Sequence, residues 1–305
     1  MNGLKRITLV LLVSLLPACG SQAEVSNAGS DASDAGSDVS EVWLDGGEAG
    51  LDGGEAGLDA AEVGLDASEA GMDAAAGQQP VSLGSCSHFA ILASAEITNI
   101  PTSVITGDVG LTPDTGANIS GFSAPLTCPE VTGNVYAVDA TGPACALIDP
   151  VLLANAKADA AEAFLDARAA VRGTPVAISG DLNGLTLYPG LYESLTSIEI
   201  SPGGILYLDA QGDGSAVFII RSETSITTEA ASAVVLAGGA KATNVFWTAG
   251  STVTLGTTSI MKGTLIAGTS IALLSGADLE GRALNQGATA EAITLDQCTI
   301  TVPSP

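Results

Sequence analysis

The sequence predicts a mainly β fold: a β-solenoid of triangular cross-section with one long α-helix packed alongside. Three observations predict it. Strand-like runs of three kinds recur in rotation through the C-terminal part of the chain. Turns containing glycine separate them, as tight connections between short strands require. Only one segment carries a clear helical pattern, and it precedes the rotation.

Taken from the start, Lys5 and Arg6 precede Ile7 to Leu16, an apolar run too short to span a bilayer as a stable helix. Leu16-Pro17-Ala18-Cys19 follows and resembles the lipobox of bacterial lipoproteins. That resemblance implies a signal peptide over residues 1–18 and lipidation of Cys19. Gly20, rather than an Asp, favours the outer membrane under a Gram-negative sorting rule. An ordinary signal peptide cut near Ala18 is the alternative.

Residues 19–80 read as a tether. Residues 20–80 hold acidic side chains and no Lys or Arg, and from Leu44 they repeat every seven residues as LDGGEAG, LDGGEAG, LDAAEVG, LDASEAG. Only one position per repeat is reliably apolar and each repeat ends in Gly, which excludes a coiled coil. The Asp offset does not fit calcium-binding nonapeptides. A like-charged, Gly-rich stretch is expected to stay extended and disordered.

Residues 81–305 read as the folded domain. Cys86, Cys128, Cys145 and Cys298 give an even count in an exported chain, which points to disulfides. Three pairings are possible. Cys128–Cys145, close in sequence within a loop-rich region, is favoured, and that leaves Cys86–Cys298 to clasp the domain ends. Free buried thiols are the alternative. Asp149-Pro150 opens a helix that runs from Val151 to Arg172 and stops at Gly173. Leu153, Ala160, Ala161, Phe164, Leu165 and Val171 form its sheet-facing stripe.

The strands beyond fall into three series. One is apolar throughout: Ala216–Ile220, Val245–Trp247 and Thr264–Ala267, the pattern of strands covered on both faces, with the helix on the outer side. A second is short: Val234–Leu236, Ile260–Lys262 and Ala277–Leu279. The third alternates, in Ser197–Ile200, Ser225–Thr227, Thr252–Leu255, Ser270–Leu273 and Ala292–Leu295, with Val104–Thr106 as a further strand at the other end. Period-2 alternation turns Ile198, Ile226, Val253, Ile271 and Ile293 inward. It turns Ser197, Glu199, Ser225, Thr227, Thr252, Thr254, Ser270, Ala272, Ala292 and Thr294 outward.

The motifs Leu83-Gly84, Phe89-Ala90-Ile91-Leu92, Ile105-Thr106-Gly107-Asp108-Val109-Gly110, Gly184 to Tyr192, Asn244-Val245-Phe246-Trp247 and Gly281-Arg282-Ala283-Leu284 together resemble the ice-binding proteins of bacteria, fungi and sea-ice algae. The resemblance implies a right-handed, discontinuous solenoid. It also implies a helix along the solenoid and a cap over residues 111–148 between the first strand and that helix. Ice binding would then use Thr106, Ser197, Ser225, Thr227, Thr252, Thr254, Ser270, Ala272, Ala292 and Thr294. The second series is the other candidate face, less suited because of Met261 and Lys262. The implied partners are an ice surface and, through the lipid anchor, a membrane, with the protein a monomer held at the cell surface. A surface adhesin for polysaccharide or a host matrix is the alternative.

Charge excludes other classes. With 34 Asp plus Glu against 9 Lys plus Arg, a formal net charge of −25 opposes nucleic-acid binding, which depends on cations meeting phosphate. No metal cluster, nucleophile elbow or phosphate loop is present in the sequence, so no enzymatic activity and no cofactor is expected. The single histidine, His88, is expected to be structural, and Asp209 to Gly214 to form a turn rather than a calcium loop.

Overall fold

The computed structural model describes residues 77–287 and 291–304. The signal peptide, Cys19 and nearly all of the tether lie outside the described residues. Parallel strands stack into two hydrogen-bonded sheets that make three faces. The first face runs, strand against strand, through Leu147–Ile148, Val135–Ala137, Asp108–Leu111, Phe89–Ala93, Asp278–Asn285, Ile260–Ala267, Val245–Ala249, Phe218–Ser222, Gly190–Ser194 and Val176–Ala177.

That order is not the order of the sequence. The strand Phe89–Ala93 pairs with Asp278–Asn285, near the C-terminus, on one side and with Asp108–Leu111 on the other. The chain therefore builds the top coils first. It then returns down the stack along helix α1 (Pro150–Ala167) and climbs from Val176 until its last coil docks beneath its first. The helix, about 27 Å long at 1.5 Å per residue, packs on the strands Val135–Ala137, Asp278–Asn285 and Val245–Ala249. Those strands lie five positions apart in the stack at their extremes, about 24 Å at strand spacing.

Asp149 caps the helix by accepting from the Leu152 N–H at 2.9 Å, and Pro150 occupies the first turn. The helix ends at Ala167, and a separate turn of 3-10 helix covers Ala170–Arg172. The buried ridge is Leu153, Ala156, Ala160, Ala163 and Ala167. Leu165 and Val171, expected in that ridge, are 66% and 90% exposed. The small residues win the interface because they let the helix axis approach the bulky sheet positions Phe89, Leu92, Phe246 and Leu284.

The interior is filled by inward side chains of all three faces, with Trp247, Tyr192 and Phe218 fully buried. The Trp247 indole spends its N–H on the Lys262 carbonyl at 2.9 Å. The apolar and short series join at one corner: Ile260–Ala267 and Asp278–Asn285 are each one strand bending around Gly263 and Gly281. Gly263 has φ +107°, and a Cβ there would sit 2.6 Å from the Val245 carbonyl oxygen. A Cβ on Gly281 would lie 1.8 Å from the Gly263 carbonyl oxygen.

Residues 111–148, expected as a cap, largely continue the solenoid. Ile119–Ser120, Val131–Thr132 and Val135–Ala137 add one strand to each face. Cys128 and Cys145 are bonded there, with Cα atoms 6.0 Å apart. Cys86 and Cys298 are not bonded to each other; both are free and buried. Cys86 packs in the layer between helix and sheet, whereas Cys298 lies inside the solenoid, so the sheet itself separates them.

Candidate functional site: a sheet of unspent hydroxyls

The second sheet is built from the alternating series. Its strand order is Gly180–Asp181, Ile198–Ile200, Ile226–Thr228, Val253–Leu255, Ile271–Leu273, Ala292–Asp296, Glu96–Ile100 and Ile119–Ser120. Ile198, Ile226, Val253, Ile271, Ile293 and Ile97 are all buried, and they pair in register. Unequal loops between coils therefore do not disturb the face.

Register converts the alternation into two outward files. One contains Ser197, Ser225, Thr252, Ser270 and Ala292, each residue just ahead of a paired inward position. The other runs Glu199, Thr227, Thr254, Ala272, Thr294, Thr98 and Ser120. From Thr227 to Ser120 it crosses six strands without a charge, a span of about 24 Å at ~4.8 Å per strand. Alternate positions along each strand are ~6.6 Å apart, so the two files form a rectangular grid. Within the two files charge is confined to the ends, Asp181 and Glu199 at one and Glu96 at the other, while Asp296 flanks the second file beyond Thr294 on its strand.

The hydroxyls on this grid are unspent. Among the described residues, Ser225, Thr227, Thr252, Thr254, Ser270, Thr294 and Thr98 make no side-chain hydrogen bond within the protein. Hydroxyls turned into the corners behave oppositely. Ser222 Oγ donates to the carbonyls of Thr196 (2.8 Å) and Ser225 (3.0 Å), Ser232 Oγ to that of Glu229 (2.8 Å), and Thr228 Oγ1 to Ser259 Oγ (3.0 Å). The buried hydroxyls are satisfied as burial demands, and the outward ones keep their capacity for something outside the protein. Thr227, Thr252 and Thr254 are only half-exposed, wedged between neighbours on adjoining coils. That restriction leaves little rotamer freedom to lose on binding.

Neither of the other two faces presents a comparably long uncharged grid, although Thr301, Thr106 and Thr132 stack in register at one end of the third. The helix covers one. The third carries an ion pair, Lys262 to Glu280 at 2.9 Å, together with Tyr207, Asp278 and the exposed apolar Ile205, Ile260 and Val104.

Nine of the ten residues named from the sequence fall on the hydroxyl sheet. Thr106 does not: Val104–Thr106 pairs with Thr299–Thr301 and Val131–Thr132 on the third face. The strand that takes its place is Glu96–Ile100, which brings Thr98 and, through Ile119–Ser120, Ser120. Among the described residues no cluster of His, Cys, Asp and Glu is placed to hold a metal ion, and no helix is long and apolar enough to cross a membrane.

The model of the family described as ice-binding-like matches residues 91–301. An ice-binding protein of Flavobacterium frigoris is 36% identical over 224 residues, 73% of this chain and 76% of that protein. One from a Colwellia species is 35% identical, over 75% of this chain and 87% of that one. Among solved structures, an ice-binding protein from an Antarctic biological consortium aligns with a TM-score of 0.65 at 39% identity, covering 74% of this chain and 93% of that chain. An ice-binding protein from an Arctic yeast, solved to explain its antifreeze activity, aligns at 0.64 with 33% identity, covering 74% and 96%.

Proposed function

The chain belongs to the ice-binding-like family, and on that footing we propose that it binds ice through the hydroxyl sheet. The contact residues are Ser197, Ser225, Thr227, Thr252, Thr254, Ser270, Ala272, Ala292 and Thr294, extended by Thr98 and Ser120. One observation carries the assignment: two in-register files, charged only at their ends, whose outward hydroxyls have no partner among the described residues. Ice presents neither charge nor a distinctive functional group, so recognition must come from regular spacing. A threonine supplies a methyl group that restrains water and a hydroxyl that anchors it. Long charged side chains, which hold mobile water, are kept to the margins.

We also propose that the chain is exported and lipidated at Cys19. Residues 19–80 act as the tether, residues 81–305 as a monomeric ice-binding domain, and the whole serves to attach the cell to ice or guard its surface. The export pattern of residues 1–18 and the acidic repeats support this.

Thermal hysteresis and inhibition of ice recrystallisation by the purified chain test the central claim. Faceted ice growth and a concentration-dependent freezing gap are expected. Ice that grows as in buffer, at high protein concentration, overturns the assignment.

A further inference from the structure

Arg282 is 8% exposed, and its guanidinium has only neutral partners: the Ser87 carbonyl accepts from Nε at 2.8 Å and Thr264 Oγ1 from Nη1 at 3.4 Å. Nη2 has no acceptor among the described residues. Every other described arginine has a carboxylate: Arg168 has Glu223, Arg172 has Asp166 and Arg221 has Glu193. A buried cation without a counter-charge is costly, and in a chain with a net charge of −25 it is conspicuous.

The same guanidinium lines a cavity of about 360 Å³ at the corner between the helix-covered face and the third face. Thr106 and Thr132 offer hydroxyls to it, His88 an imidazole, and Val302 and Pro303 an apolar wall, while the Ser87 hydroxyl at its edge donates to the Gly84 carbonyl at 2.7 Å. Asp108, next to the lining Gly107, already accepts the Asn134 N–H at 2.9 Å. This corner lies off the hydroxyl sheet.

We propose that this pocket binds a carboxylate carried on a sugar-sized ring, either a free sugar acid or the uronate unit of an acidic polysaccharide. A planar guanidinium matches a carboxylate better than a point cation would. The cavity volume suits one ring. The apolar wall fits a ring face, and the threonine hydroxyls fit ring hydroxyls. Neither a neutral sugar nor an inorganic anion would use all three features.

The test titrates the full chain with sodium D-glucuronate at constant ionic strength, followed by calorimetry. D-glucose and inorganic phosphate are run alongside, and oligomers of the uronate in a further arm. Saturable one-site glucuronate binding is expected, with glucose and phosphate weaker by about tenfold or more. Arg282→Gln should lose a similar factor. Should that variant fail to fold, Thr106→Glu decides: it sets a carboxylate at the rim and should abolish binding with the melting temperature and thermal hysteresis unchanged. Tighter binding of the oligomers identifies a polysaccharide, and equal binding a free sugar acid; both support the proposal. No saturable glucuronate binding, equal binding of glucose or phosphate, or full binding by Thr106→Glu overturns it.

Discussion

At the scale of single residues, Thr254 is the most informative position. It sits mid-file between Thr227 and Ala272, with the paired Thr252 beside it on its own strand. Thr254→Tyr would raise a ring above the plane and hold the ice lattice away from both files. Thermal hysteresis should fall several-fold while the thermal unfolding midpoint stays within experimental error. Retained hysteresis would place the ice contact on another face. A second residue, Lys157, links structure to pH. It donates to the Asn285 carbonyl at 2.5 Å and lies 3.7 Å from Glu291, and burial brings its ammonium down to about 8. Between that value and the ordinary lysine value of about 10.4, the unfolded chain holds the proton and the folded chain does not. Stability from this residue therefore rises with pH across that window, by about 3 kcal/mol at most. Chemical denaturation from pH 7.5 to 10 should show wild type gaining on Lys157→Met. Parallel pH slopes would show that the ammonium stays charged in the fold.

At the scale of elements, helix α1 is held by its cap and its alanine ridge. Asp149→Ala should cost about 1 kcal/mol. Ala160→Leu, overfilling a site with no exposure, should cost about 1–3 kcal/mol. Denaturant midpoints compare the two, and a neutral Ala160→Leu would show that the helix is not closely seated. The helix start was legible in the sequence because Asp149-Pro150 is a local signal. Its buried stripe was legible only in part: Leu153 and Ala160 are buried as expected, but Leu165 and Val171 are exposed, because the sheet selects small residues over the largest ones. The alternating strands were legible for the same local reason, and their period alone predicted the inward isoleucines. Glu96–Ile100 was missed: it turns Asn99 inward and Glu96 outward, and its pairing partner, Ala292–Asp296, lies almost the whole domain away in sequence. Val104–Thr106 shows the same local alternation but belongs to the next face. Alternation identifies a strand with one buried side, and only the stacking order says which side of a triangle it occupies. The disulfide followed the same division, since Cys128–Cys145 closes a local loop whereas Cys86 and Cys298 lie on opposite sides of a sheet that no local pattern reveals.

At the scale of the whole molecule, the stacking of the first coils upon the last makes the hydroxyl grid a product of both chain ends. Thr294 and Thr98 are neighbours on the face although they come from opposite ends of the domain. In a simple solenoid the terminal coils fray. Here Glu96–Ile100 is covered on both sides, by Ala292–Asp296 and Ile119–Ser120, and α1 fastens the first coils to the middle of the stack. The register of the file over six strands thus depends on docking between segments that meet only when the chain has closed. A substitution in the docking seam should cost ice activity as well as stability. Ile97 and Ile293 are paired there, with no exposure. Ile97→Ala removes buried methyl groups worth about 2–5 kcal/mol and leaves every hydroxyl of the central four strands in place. If the grid works as one surface, thermal hysteresis measured well below the melting transition should fall, and hydrogen exchange should rise in 96–100 and 292–296 together. Unchanged hysteresis with raised exchange at the seam would confine the ice contact to the strands between Ser197 and Thr294 and remove Thr98 and Ser120 from it.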